Sequence, residues 1–149
     1  MKLDATTGRR ALTVLLVTMA TACSTAYQGA HQISTLRIGS GYQEAKASGG
    51  LIKVTYHGNR DIRMSQVEMY ALYRCAEIAR REGSTHFALY QTLSDALQDR
   101  RSKTVRPTTL LGIPHAEVYI SLRKADAPGL LATADVLARL KPAVMAGAR

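Results

Sequence analysis

Leu51-Ile52-Lys53-Val54-Thr55-Tyr56-His57-Gly58-Asn59, followed by a run that opens at Ser65 and closes at Gly83, decides the fold. In the first segment Ile52, Val54 and Tyr56 alternate with Lys53, Thr55 and His57, the period of two of a half-buried strand. Gly58 and Asn59 both tolerate left-handed backbone and end it. In the second segment Met69, Leu72, Cys75, Ala76 and Ala79 fall on one broad helical stripe, while Glu68, Arg74, Glu77, Arg81 and Glu82 carry charge. Ser65 and Glu68 have the spacing of a reciprocal capping box, Met64 and Met69 that of a hydrophobic staple, and Gly83 supplies the stop. A strand and a helix that each have one apolar face must cover one another, which calls for two layers.

The same reading extends outward. Gly41-Tyr42-Gln43-Glu44-Ala45 precedes Ser48-Gly49-Gly50, so a first strand turns through glycine into the second. Thr85 to Gln91 alternates Phe87 and Leu89 against His86, Ala88 and Tyr90, a third strand, and Leu93 to Gln98 adds a short helical turn. Arg100 to Pro114 holds Arg100, Arg101, Lys103 and Arg106 with two prolines and reads as a basic loop. Ala116 to Leu122 alternates again, a fourth strand, before Asp126-Ala127-Pro128-Gly129 breaks it. Leu130 to Leu140 reads as a short helix stopped by Pro142, with a frayed tail from Ala143. The expectation is an α+β two-layer sandwich: a mainly antiparallel four-stranded sheet with one main helix on one face and a short C-terminal helix. It places a single domain in residues 41–141 and a flexible tail in 142–149.

Ahead of the domain lies a different kind of segment. Arg9 and Arg10 precede an apolar stretch from Ala11 to Ala22 that closes with Ala20-Thr21-Ala22-Cys23. About a dozen apolar residues are too few to span a bilayer and match a secretory signal, residues 1–22. A cysteine directly after a small residue is the site of lipid attachment in bacterial lipoproteins, with cleavage after Ala22 and Cys23 acylated. Ala20-Thr21-Ala22 equally suits an ordinary signal peptidase, which would leave a soluble periplasmic protein with a free Cys23. Ser24 to Gly41 is polar and small, so residues 23–40 read as lipid attachment and tether. Ser24 after the cysteine favours the outer membrane, facing the periplasm.

Removing 22 of the 149 residues leaves enough chain for one modest core. The whole chain has 20 Lys and Arg against 11 Asp and Glu, a formal charge of +9, and the part after the signal keeps 17 against 10. The positive charges are scattered rather than striped, which favours anionic head groups, cell-wall polymer or an envelope protein as partner and argues against nucleic acid. Of the two cysteines, a lipidated Cys23 cannot form a disulfide, which leaves Cys75 to pack as a small apolar residue.

Gly41-Tyr42-x-Glu44, Val54-x-Tyr56-x-Gly58-Asn59, Leu72-Tyr73-Arg74-x-Ala76-Glu77, Gly83 and Phe87 together resemble a family of small proteobacterial envelope lipoproteins. With the cysteine box these residues cover about a third of the chain. The resemblance implies an exported lipoprotein with this α+β domain and brings no catalytic residues with it. The glycine pair, the basic loop and the helical tail depart from the pattern.

No motif for catalysis or a cofactor accompanies these features. His57, His86 and His115 sit at strand ends without a short ligand pair such as H-x-H, so no metal site is expected. Gly39-Ser40-Gly41 lacks the spacing of a serine elbow. Glu44 with Glu77 is the one carboxylate pair worth naming for glycan cleavage, but Arg74 and Arg81 lie within one helical turn of Glu77, which favours a structural ion pair over a general acid. Tyr70 and Tyr73 with Arg74 read either as core with wet hydroxyls or as a recognition patch. The expected function is a non-enzymatic, lipid-anchored binding or structural module; the competing class is an enzyme acting on cell-wall polymer.

Overall fold

A computed structural model describes Tyr27 and residues 40–147. In chain order the elements are β1 (Gly41–Lys46), β2 (Ile52–His57), α1 (Met64–Arg81), β3 (His86–Tyr90), α2 (Leu93–Leu97), β4 (Thr108–Leu110), β5 (Ile113–Arg123), β6 (Leu131–Ala132) and α3 (Thr133–Gly147). The sheet runs β1-β2-β5-β3-β6, with β4 paired to the start of β5, and every pairing is antiparallel. Helices α1 and α3 lie together against one face. The α+β class and the layer order follow the sequence pattern, but the sheet has six strands rather than four.

Both additional strands are short. Strand β4 lies in the stretch read as a basic loop, where three residues give too little alternation to register. It closes on β5 through the two-residue turn Leu111-Gly112, with φ of 53° and 76° and Leu110 opposite Ile113. Positive φ at both central residues is the hairpin turn that matches strand twist, and it favours Asn-Gly over the Leu-Gly found here. Strand β6 takes two residues from the start of the expected last helix and pairs them with His86 and Phe87.

Helix α3 does not stop at Pro142: it continues to Gly147, and the stretch read as a frayed tail is helical through that residue. Pro142 lacks the N–H that would donate to Ala138 O, but both residues are on the exposed side of the helix, while Val144 beyond them is fully buried in the core.

The start of α1 also differs from expectation. The helix begins at Met64 with Arg63 at its cap, so Ser65 is an exposed first-turn residue and makes no capping box with Glu68. The entry is organised instead by Asn59, whose Oδ1 accepts the N–H groups of Asp61 at 3.1 Å and Ile62 at 3.0 Å, and by Gln66, whose Oε1 accepts the Arg63 N–H at 3.1 Å. Met64, expected in a staple, is exposed. At the other end the expected stop is made: Gly83, at φ 68°, donates to Arg80 O, and Ser84 donates to Ala79 O.

The helix-facing side of the sheet buries Val54, Tyr56, Phe87, Leu89, Ala116, Val118 and Ile120, the positions its alternation assigns there. Against them α1 buries Val67, Tyr70, Ala71, Leu72, Tyr73, Cys75, Ala76, Ile78 and Ala79, a wider face than one stripe because α1 is covered by both the sheet and α3. Met69, placed on the stripe by spacing, is only partly buried. Leu51, Ala88 and Tyr90 form a second small cluster on the opposite face of the sheet, under Ala47, Ala96, Tyr119 and Leu130.

Candidate functional site

Strand β1 and helix α1 both present polar and aromatic residues at one edge of the domain, and a residue from the N-terminal segment fills the space between them. Tyr42 and Glu44 share the helix-facing parity of β1, opposite Tyr56 and Val54. Tyr70, Tyr73, Arg74, Glu77 and Arg81 recur along α1 at helical spacing. The ring of Tyr27 sits among three others, with centroids 5.3 Å from Tyr42, 5.5 Å from Tyr70 and 5.3 Å from Tyr73, the last edge-on. Its hydroxyl donates to Glu77 Oε2. Burial, and then the Glu77 carboxylate, push the Tyr27 phenol up from its ordinary value, so it stays a donor.

Arg74 ties the socket together. Its guanidinium donates to Glu44 Oε1 at 2.8 Å and to Glu77 Oε2 at 3.0 Å, and stacks 4.1 Å from the centroid of the Tyr42 ring. Burial opposes its charge, but the bonds to Glu44 and Glu77 more than offset that and hold it protonated. Arg81 adds a fork to both oxygens of Glu44, each at 2.9 Å, and reaches Glu82 at 3.0 Å. Arg81, against partial burial, and then Arg74 hold the Glu44 carboxyl below its usual range. Glu44 and Glu77 therefore do come together, through arginine. Glu44, held ionised between two arginines, has no proton to give a leaving group. The expected contact of Arg81 with Glu77 is not made; Arg81 turns to Glu44 and Glu82 instead.

A second cluster lies on the opposite face of the sheet. His57 and His115 are register partners in β2 and β5, and their Nδ1 atoms are 3.1 Å apart with ring centroids at 4.7 Å. Desolvation lowers both pKa values; His115 lowers that of His57 further, and at His115 the nearby Glu117 pulls the other way. Two residues along β5, Glu117 accepts from Lys53 Nζ at 3.2 Å and from the Tyr119 hydroxyl at 2.9 Å. His86 is remote from the pair, near the far end of β5, with Asp126 3.6 Å away. Among the described residues no group of three or more His, Cys, Asp or Glu is arranged to hold a metal ion.

The basic loop is pinned rather than free. Ser102 N–H donates to Leu89 O at 2.8 Å, Val105 is buried, and Arg101 bonds Asp99 and the Pro128 carbonyl. Arg100, Lys103 and Arg106 remain exposed. Tyr70 and Tyr73 are buried, as the core reading has them, although the Tyr70 hydroxyl is enclosed rather than wet, and Cys75 is also buried, with its thiol pKa pushed up by burial. Cys23 and residues 1–22 lie outside the described residues, and no described helix is long and apolar enough to cross a membrane.

What sequence reasoning missed is the part played by Tyr27 and the meeting of His57 with His115. A lone tyrosine among polar residues carries no period, and strand parity gives a face without giving register. No protein-family model matches the chain, and comparisons with curated proteins and with solved structures found no match.

Proposed function

We propose that this chain is a lipid-anchored protein of the bacterial cell envelope, held at Cys23 to the outer membrane and working as a non-enzymatic binding or structural module in the periplasm. The observation that carries the reading is Ala20-Thr21-Ala22-Cys23 at the exit of a basic-then-apolar leader. The folded part supports it. Tyr27, four residues after Cys23, is already seated in the domain, so an anchor at Cys23 holds the module at the membrane rather than on a long leash. Tethering raises the local concentration of partners, so a modest affinity suffices for function. The carboxylate pair that best suited glycan cleavage is neutralised by arginine, which favours a module over a hydrolase.

The mass of the mature N-terminus tests the reading. Acylated Cys23 adds the mass of the lipid and moves the protein into detergent, and Cys23→Ser releases it to the soluble fraction. A wild-type protein found soluble, with a free Cys23 thiol, overturns it.

A further inference from the structure

One end of the domain gathers exposed apolar and basic residues. Leu111 is 93% exposed and Leu110 55% exposed at the tip of the β4–β5 hairpin. Leu111 sits at φ 53°, a left-handed position where the turn favours asparagine. A leucine there is unfavourable for the backbone and for solvation alike, and none of the described residues covers it. Such an outlier points to a contact outside the domain.

The neighbouring loop carries positive charge to the same end. Gly58 N–H donates to Pro114 O at 2.8 Å, and a Cβ at Gly58 would meet both Ile62 and that carbonyl, so the 58–63 loop is packed on the base of the hairpin. Arg60 and Arg63 are exposed on that loop beside a single acidic residue, Asp61, and Met64 follows them, also exposed.

Tyr27 limits how far Cys23 can lie from the domain. It packs on Tyr42, which pairs with Tyr56, itself opposite Ala116, four residues up β5 from Gly112. At about 3.4 Å per residue that offset is roughly 14 Å. The four residues from Cys23 to Tyr27 reach at most about 14 Å when extended. A lipid at Cys23 can therefore lie in the plane of the hairpin tip.

We infer that the Leu110-Leu111 tip, flanked by Arg60 and Arg63, is a membrane-contact surface that dips into the anionic phospholipid leaflet holding the anchor. The leucines enter the interface and the guanidinium groups meet phosphate. The inference rests on the anchor reading for its geometry, and its test can fail separately.

The full chain, processed in its host and reconstituted into vesicles of phosphatidylethanolamine and phosphatidylglycerol, is labelled with an environment-sensitive fluorophore at Leu111→Cys or, for comparison, at Ala125→Cys on the far end. Buried Cys75 takes no label in the parent protein. Expected are a blue shift and quenching by brominated lipid at position 111 and neither at 125. A label at 111 that stays as wet as that at 125 overturns the inference, and so does a label already dry without vesicles, which would mean contact with a second copy. In parallel, the soluble Cys23→Ser chain lacking the leader is sedimented with the same vesicles. Leu110→Ser with Leu111→Ser is expected to lower its partition at least about tenfold, since even partial burial of two leucines is lost. If the mass at Cys23 shows no lipid, the anchor reading fails and this second measurement still decides the tip: equal partition of the parent and the double variant overturns it.

Discussion

His115 Nδ1 lies 3.1 Å from His57 Nδ1 across the central pair of strands, at a distance that suits one neutral imidazole donating to another and that two imidazolium ions would not tolerate. Both pKa values are lowered in the folded state, so the unfolded chain binds more protons through this window. The contribution to stability is therefore full above the unfolded value of about 6.5 and is lost as pH falls below it through the lower folded values. Urea midpoints at pH 7.5 and 5 should differ more for the parent than for the His57→Gln, His115→Gln double variant. Equal pH dependence would remove the pair as its source.

Tyr27→Ala should destabilise the domain by about 2 kcal/mol, the range for truncating a half-buried aromatic that stacks on three others. Tyr27→Phe keeps the stacking, loses the Glu77 bond, and should cost about 1 kcal/mol. Denaturant melts of the chain from residue 24 measure both.

Arg74→Met should cost about 3 kcal/mol, because it leaves Glu44 and Glu77 partly buried without their shared cation. Arg74→Lys should recover little, since an ammonium cannot fork to two carboxylates and stack on Tyr42 together. Glu44, with its pKa depressed, contributes above the unfolded value near 4.3 and loses that contribution as pH falls below it. The parent melt should therefore steepen in pH below about 4.5, and the Arg74→Met melt less so.

Asn59→Ala should destabilise by about 1 kcal/mol by releasing the Asp61 and Ile62 amides. Ser65→Ala should stay within about 0.5 kcal/mol, as an exposed first-turn position allows. Thermal melts that rank the two in reverse would restore Ser65 as the cap.

The fold was legible where one signal repeated. The alternation of Ile52, Val54 and Tyr56 and that of Ala116, Val118 and Ile120 put the right residues inward, and Gly83 stopped α1 where it stands. Legibility failed where a choice depended on neighbours in space. Ser65 fits a capping box as well as Asn59 fits a turn, and in the fold it is Asn59 that binds the Asp61 and Ile62 amides, beside the Gly58 contact with Pro114. Pro142 breaks a helix in isolation, yet the buried place for Val144 carries α3 past it. Strands of two and three residues, β6 and β4, exist because β3 and β5 offer them partners. In the socket, Arg74 beside Glu77 could be read from helical spacing, whereas Glu44 and Tyr27 arrive from 30 and 50 residues away.

Strand β5 is paired with β2, β3 and β4, and it is the longest strand, ending at Arg123. The sheet therefore has its hub near the end of the chain rather than the beginning. During synthesis, which proceeds N-terminus first, the β1–β2 hairpin and α1 emerge with no strand between them and β3. A chain cut short before Ile113 has the β1–β2 hairpin and, apart from it, β3 and β4 without their partner strands. Assembly is consequently late and all-or-none, dominated by long-range pairing, and the interval before β5 arrives is when exposed strand edges are most open to aggregation.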